Sequence, residues 1–386
     1  MPSFISSNPS DARPKVLVLG DPKYLDQDYL SAFKKSYDVT ILPTPTTRPH
    51  LLSTTLPATI TTHGPFAVLI TRLDATSSPY APFDADLLGP LLPHLRIVAS
   101  GQAGADAFDV SWLTYRGVWF CNTRNAVAEA TADWAVGLVL AVVRDAWGLG
   151  MGMRRGVWRG GYGGGGGRLV RDPGDLVLGI VGMGAIGRRV ARKCVAAFGM
   201  RVVYFARDGR RLGREEEEVV RGDCGAGEGK GGEMLRCCES LEELLRSCDV
   251  LSLHCPLTPE TKGLIGAEQL RLMKRGSFVV NTSRGGVVDE DALIEALESG
   301  HIERAGLDVF EGEGEDGKGI RQHWLESERA VVQPHVGGLT AGSLRRAQKE
   351  AFENVRSYFE TGRPVAPLNE LKARCETATV RYEQGA

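Results

Sequence analysis

Arg284, Glu313 and His335 fall within 52 residues counted inclusively, and each side chain suits work on an anionic carbonyl compound. A guanidinium fork pairs both oxygens of a carboxylate, an imidazole exchanges a proton near neutral pH, and a carboxylate beside that ring favours its charged form. The trio therefore has the means to clamp a 2-oxo carboxylate, protonate its carbonyl oxygen and keep the proton donor charged. Upstream, Gly182-Met-Gly184-Ala185-Ile186-Gly187 supplies the other half of such a reaction as a G-x-G-x-x-G turn. That motif is weak alone, because glycine fills 48 positions and chance matches are expected. Its setting strengthens it: Val177 to Val181 reads as a strand leading into it, and Ala185 to Phe198 repeats apolar residues at helical spacing. Gly182 would permit the tight turn, Gly184 the approach of a pyrophosphate and Gly187 close packing of helix on sheet. The phosphates would then meet the free amides of the helix N-terminus, and the combination points to hydride transfer.

The next strand, Arg201 to Phe205, runs into Ala206 and Arg207, where an NAD-preferring site usually has an acid for the adenosine ribose. A small residue with Arg207, Arg210 and Arg211 nearby offers guanidinium forks for a 2′-phosphate, so the sequence leans to NADP(H) over NAD(H). The competing arrangement has Asp208 bending back to the ribose.

Placing these groups requires more than one core, since 386 residues exceed what one hydrophobic core usually supports. Short β-branched runs alternate with helix-like segments, first at Lys15 to Gly20, Val39 to Leu42, Ala67 to Thr71 and Arg96 to Ser100. A second series follows at Val177 to Val181, Arg201 to Phe205, Asp249 to His254, Ser277 to Asn281, Ala305 to Asp308 and Ala330 to Gln333. Such alternation predicts two α/β units with parallel sheets. Glu129 to Arg144 is rich in Ala, Val and Leu and reads as a buried helix that joins domains or packs against another subunit. Ser343 to Glu360 reads as a helix stopped by Gly362 and Pro364, returning to the first unit. The glycine run from 160 to 167, the charged stretch from 208 to 232 and the acidic 312 to 319 read as loops.

With 42% hydrophobic and 24% charged residues both units can fold, and a net charge of -2 gives no electrostatic reason to expect nucleic acid or an anionic membrane. The apolar run Trp134 to Val143 is ten residues, short of the roughly 20 that span a bilayer, and the N-terminus has no secretory pattern. A soluble cytoplasmic protein is expected. Eight cysteines without a C-x-x-C pair predict reduced thiols and no metal, with adjacent Cys237 and Cys238 in a short strand rather than a redox switch.

Seven ordered stretches carry a resemblance over nearly the whole chain: Ser100 to Asp106, Glu129-Ala-Thr131-Ala-Asp133, the glycine motif, His254-Cys-Pro256-Leu-Thr258-Pro-Glu-Thr261, Asn281-Thr282-Ser283-Arg284-Gly, Gly306-Leu-Asp308-Val-Phe-Glu, and Gln333-Pro-His335-Val-Gly337-Gly. They resemble the D-isomer-specific 2-hydroxyacid dehydrogenases, closest in pattern to the glyoxylate/hydroxypyruvate reductases. The resemblance implies two doubly wound parallel-sheet domains. A flavodoxin-like substrate domain would span 14–124 and 337–372, and an inserted Rossmann domain 125–336, with an interdomain or dimerisation helix near 127–150 of a homodimer. It implies that Arg284 binds the substrate carboxylate and carbonyl oxygen, with the amides of Ala103 and Gly104 on the other side. His335 would exchange the proton and Glu313 would hold His335 charged. Thr131, His254, Pro256, Thr258, Thr261, Thr282, Ser283, Asp308 and Gly337 would line the cofactor, beside Arg284 and His335. Two departures matter. Gly314 replaces the usual proline after Glu313, leaving Glu311 as a competitor, and Gln102-Ala103 replaces a Gly-Val-like pair. The same fold also serves dinucleotide-sensing corepressors, the alternative reading.

Overall fold

A computed structural model describes residues 13–42, 47–73, 80–158, 169–206, 211–221, 234–313 and 319–371. The chain divides into two compact units, Met1–Thr123 with Ala347–Ala386, and Arg124–Arg346.

In the first unit the described strands are β1 (Lys15–Leu19), β2 (Asp38–Leu42), β3 (Val68–Thr71), β4 (Ile97–Ser100) and β5 (Trp119–Cys121). They form one parallel sheet in the order β2-β1-β3-β4-β5, the flavodoxin-like arrangement. Strands covered on both faces read as continuous apolar runs, and Val16, Leu17, Val18, Val68, Leu69 and Ile70 are indeed fully buried. The helix Ala341–Thr361 delivers Ala351, Phe352 and Val355 into the core formed by Val16, Val18, Val68, Ile70 and Ile97. Gly362, at φ 79, ends it in the left-handed conformation that suits glycine.

In the second unit the described strands are β6 (Val177–Val181), β7 (Arg201–Phe205), β8 (Leu235–Cys237), β9 (Val250–Leu253), β10 (Ser277–Asn281), β11 (Ile302–Leu307) and β12 (Ala330–Val332). Their order is β12-β11-β10-β9-β6-β7-β8, again parallel throughout. Chain order reverses between β6 and β9, and in open α/β sheets the crevice at such a switch point is where ligands bind.

The helix Arg124–Val143 covers β10, β11 and β12 and packs along the helix Ala185–Phe198. Ten of its twenty residues are buried, among them Ala132, Ala135, Val139 and Val142. Gly306 of β11 lets it close on the sheet, because a Cβ there would lie 3.2 Å from both Leu138 Cβ and Val142 Cγ1. By length and composition alone this helix could cross a membrane; its apolar residues instead help form the core of the second unit. Across the two helices, Glu129 accepts from Arg189 Nε at 2.9 Å and from Lys193 Nζ at 2.5 Å. The Lys193 bond and charge hold the Glu129 carboxyl below its ordinary range.

Three expectations need correction. The single helix near 127–150 is two, since Asp145 at φ 50 breaks the run and Ala146–Arg154 follows; Arg304 Nε holds the Asp145 carboxylate at 3.1 Å. The stretch from 208 to 232 is not all loop, because its described part contains the helix Arg214–Arg221, which seats Val220 in the core through Glu- and Arg-rich sequence of good helix propensity. The chain re-enters the first unit at Ala347 rather than 337. Val336 and Gly337 are tied to Asp308, and Arg346 Nε reaches Ala126 O at 3.1 Å, which keeps this segment with the second unit. The glycine run from 160 to 167 lies outside the described residues.

Candidate active site

Two glycines of the nucleotide motif, Gly182 and Gly187, are required by close backbone contacts. Gly182 sits at φ 96, and a Cβ there would come within 2.8 Å of Cys255 N. A Cβ on Gly187 would lie 2.2 Å from Gly182 O, so only glycine lets the helix start this close to the turn. A Cβ on Gly184 meets nothing within 4 Å, which leaves open space before the first amides of Ala185–Phe198, where Ala185 and Ile186 begin the helix. That end of a helix attracts anions through unpaired N–H groups and the macrodipole.

Along the same sheet edge, His254 N donates to Val181 O at 2.8 Å and its Nε2 lies 2.9 Å from Ser252 Oγ. Its Nδ1 is enclosed without a partner among the described residues, as is Thr282 Oγ1 after β10. Burial pushes His254 down to about 4, so the ring is neutral at pH 7. Thr261 Oγ1 accepts from Thr258 N and donates to Pro256 O, both at 2.7 Å, closing the turn after β9. Open space at a helix N-terminus and two enclosed polar atoms without protein partners fit a dinucleotide. Ala206 follows β7 directly, whereas Arg207 and Arg210 lie outside the described residues and Arg211 pairs with Glu239.

Arg284, Glu313 and His335 are carried on turns that follow β10, β11 and β12. Asn281, the last residue of β10, accepts from Ser283 N at 3.0 Å and Ser283 Oγ at 2.8 Å while donating to Arg284 O at 2.9 Å. Gly285 then packs so closely that a Cβ would lie 1.9 Å from the Phe310 carbonyl carbon. This brings the Arg284 backbone against the segment leading to Glu313. Glu313 Oε2 accepts from Phe310 N at 2.9 Å, and its Oε1 lies 2.7 Å from His335 Nδ1. Burial works to raise the Glu313 carboxyl, but the bond and charge of His335, the Phe310 amide and Arg284 outweigh it and hold the group below its ordinary range. The backbone amide of Glu311 donates to Glu290 Oε1 at 2.7 Å, and the carboxylate that meets His335 Nδ1 is that of Glu313.

His335 adopts φ 53, a left-handed backbone that is uncommon for a residue with a side chain. The two amides after it, Val336 N and Gly337 N, donate to Asp308 Oδ1 and Oδ2, each at 2.9 Å. Trp134 Nε1 also donates to Asp308 Oδ1, at 3.1 Å. Burial raises the Asp308 carboxyl, against the lowering influence of these donors and of His335. Thr131 packs nearby, its Cγ2 3.5 Å from where a Gly337 Cβ would stand.

Ala103 and Gly104 belong to the first unit, in the loop after β4. Arg72 Nε donates to Gln102 Oε1 at 2.7 Å and Asn122 Nδ2 to Ala103 O at 2.6 Å. Gly101 is required here because a Cβ would approach Arg72 O to 2.8 Å. The departure at Gln102 is thus a strut that fixes the loop.

Residues 136–337 match the family described as D-isomer specific 2-hydroxyacid dehydrogenase, NAD binding domain. Dehydrogenase efuE of Hormonema carpetanum is 42% identical, over 95% of this chain and 84% of its own length. The chain belongs to the D-isomer specific 2-hydroxyacid dehydrogenases. The holo D-mandelate dehydrogenase of Rhodotorula graminis superposes with a TM-score of 0.81 at 32% identity, covering 94% of this chain and 99% of its own. A glyoxylate reductase from Paecilomyes thermophila gives 0.78 at 30% identity, covering 93% and 99%. As a member of this family the protein is an NAD(P)-dependent 2-hydroxyacid dehydrogenase with a Rossmann unit for its nicotinamide cofactor. The family's substrates are small 2-oxo and 2-hydroxy acids.

Sequence reasoning missed three side chains that hold the segments of Arg284, Glu313 and His335 in place: Trp134, Asn281 and Glu290. Glu290 is buried and binds Trp324 Nε1 at 3.0 Å as well as the Glu311 amide. The sequence signal for Trp134 is an indole N–H at the head of the apolar run 134–143, since an indole packed into a protein usually finds an acceptor.

Proposed function

We propose that this enzyme reduces a small 2-oxo acid of the glyoxylate or hydroxypyruvate class to the D-2-hydroxy acid, preferring NADPH to NADH. The observation that carries the reading is the 2.7 Å contact between Glu313 and His335, with Arg284 close enough to lower the same carboxylate. Glu313 occupies Nδ1 of His335, so Nε2 is the ring nitrogen left to give a proton to the substrate carbonyl oxygen. Arg284 pairs with the carboxylate and that oxygen, fixing the plane of the 2-oxo acid, and the amides of Ala103 and Gly104 are a second holder of the carboxylate. The nicotinamide, when bound, supplies the hydride to the carbonyl carbon. Hydride on carbon and proton on oxygen together convert C=O to CH–OH, and in reverse His335 takes the proton back. Gly182, Gly184, Ala185, Ile186 and Gly187 hold the pyrophosphate in this reading, with His254, Pro256, Thr258, Thr261, Thr282, Ser283, Thr131, Asp308 and Gly337 around the rest of the cofactor.

The lack of an acid at Ala206, with Arg207 and Arg210 next in sequence, supports the NADPH preference. A cytoplasmic location and a homodimer are part of the same proposal, the homodimer supported by exposed Trp147, Met153, Val157 and Trp158 in and after the helix Ala146–Arg154. The similarity to a D-mandelate dehydrogenase favours a second reading, a bulkier 2-oxo acid with an aromatic substituent.

The test is loss of reduced-nicotinamide absorbance with NADPH or NADH against glyoxylate, hydroxypyruvate and phenylglyoxylate. Fastest turnover with NADPH and glyoxylate or hydroxypyruvate is expected, falling about a thousandfold in His335→Ala and Arg284→Ala. Best turnover on phenylglyoxylate selects the second reading, and equal rates with NADH remove the cofactor preference. Cofactor binding without turnover on any 2-oxo acid would move the protein to the corepressor-like class.

A further inference from the structure

We propose that Trp134 is a positioning residue for His335, acting through the Asp308 carboxylate. The inference rests on the reading of His335 as the proton donor. The chain is short: Trp134 Nε1 donates to Asp308 Oδ1 at 3.1 Å, and Asp308 binds the two amides that directly follow His335 at 2.9 Å each. Glu313 fixes the imidazole from its Nδ1 side. The ring is therefore oriented at its nitrogen by one carboxylate and at its backbone by another.

The backbone half of this arrangement needs support. A left-handed conformation at His335 is strained for a residue with a side chain, and surrounding bonds must supply what maintains it. Asp308 is only 1% exposed, so its charge depends on protein donors rather than water. Three donors are present, the two amides and the indole. Without the indole N–H, Oδ1 keeps one partner, the carboxyl is less well held as an acceptor, and the amides beside His335 lose charge-assisted bonds.

Trp134 also acts as a wall. A Cβ on Gly337 would stand 3.3 Å from Trp134 Cδ1 and 2.9 Å from Asp308 Oδ2, so the indole edge and the carboxylate together confine this backbone. Because Trp134 lies in the helix Arg124–Val143, flanked by buried Ala135 and Leu138, the reference for His335 is the helix that covers the sheet. Phenylalanine at this position keeps the wall and removes the donor, whereas histidine restores a ring N–H.

Val336 is half-buried beside the exposed residues 334 and 335, so exchange of its amide with solvent deuterium reports its bond to Asp308 more than general burial, and the buried Gly337 amide is followed beside it. In cofactor-free protein, Trp134→Phe should speed exchange at these amides about tenfold while β10 and β11 peptides stay unchanged, and Trp134→His should restore protection. In turnover of a 2-oxo acid, Trp134→Phe should lower kcat about tenfold with KM unchanged, and Trp134→His should recover part of it. Unaltered exchange at Val336 and Gly337 in a folded Trp134→Phe protein overturns the proposal. So does faster exchange spread across the whole second unit in both variants, which marks a general packing role. Exchange thus decides the part played by Trp134, while absence of wild-type turnover would count against the reading of His335 and leave the exchange result standing.

Discussion

Each unit places a left-handed residue other than glycine near the carboxyl edge of its sheet: Arg72 at φ 55 after β3, and His335 at φ 53 beyond β12. The means of holding them differ. Arg72 is tied by a side-chain bond to neutral Gln102, and the loop it supports has backbone amides to offer. His335 is held between two carboxylates, Asp308 at its backbone and Glu313 at its ring, with Arg284 nearby. Similar backbone strain therefore accompanies two kinds of surface, one of amides on neutral struts and one of charged groups on buried acids. An edge held by carboxylates should be sensitive to pH, whereas one held through the amide side chain of Gln102 should be less so.

The sharpest way to break the second edge is Gly285→Ala. Its Cβ would stand 1.9 Å from the Phe310 carbonyl carbon, so two backbone segments must separate. A loss of more than about 4 kcal/mol is expected in urea denaturation, at the severe end for single substitutions. An unchanged midpoint would mean that these segments are not in contact.

Next comes His254, whose folded value of about 4 lies below its ordinary 6.5. Between these values the unfolded chain takes up a proton that the folded protein refuses, so stability present above pH 6.5 is lost as pH falls to 4. The total is about 3 kcal/mol, and the curve contributed by this group is flat below 4. His254→Asn should remove that dependence. Equal slopes for variant and wild type between pH 7 and 4.5 would count against it.

Glu313→Gln keeps an acceptor beside His335 and removes its charge. We expect kcat for reduction to fall about tenfold, less than for loss of His335 itself. Since the folded Glu313 carboxyl is held below its ordinary value, its contribution to stability is complete above the ordinary carboxylate range and vanishes as pH drops through the lowered one. The difference in unfolding free energy between variant and wild type should close in that acidic window. The same loss of kcat in Glu311→Gln would reassign the role.

Arg72→Gly is the mildest test. It relieves the left-handed strain and gives up the bond to Gln102, so the two effects offset and stability should move by less than about 1 kcal/mol. A large change would mean that the first edge depends on charge after all.

Several of these features are legible in the sequence. The helix Ala185–Phe198 and the strands Val177–Val181, Arg201–Phe205 and Ser277–Asn281 end where hydrophobic periodicity and glycine place them, because burial on both faces leaves continuous apolar runs. Strand β5, only Trp119-Phe-Cys, is too short to carry a pattern, and its pairing with β4 is decided by the sheet. Glu313 and His335 could be singled out by residue type and context, yet the left-handed backbone of His335 could not, since nothing local prefers it. Trp134 and Glu290 escaped for a related reason: each satisfies polar groups on other elements, a demand visible only once the chain has folded, whereas Asn281 closes its own turn at Ser283 and Arg284. Cys237 and Cys238 lie in and after short β8 as expected, and burial pushes the Cys238 thiol up to about 11, away from the reactive thiolate.

The point at which the chain returns to its first unit has a consequence for synthesis. The second unit begins at Arg124 and ends at Arg346, and its last residue is bonded to Ala126 near its first. A ribosome thus delivers that unit whole while the earlier one still lacks Ala351, Phe352 and Val355 from its core. The first unit also awaits Asn369, which accepts from Phe120 N at 2.8 Å and donates to Val118 O at 3.0 Å along β5. The portion made first must therefore finish folding last, with the open edge of β5 exposed to other nascent chains until the final segment arrives.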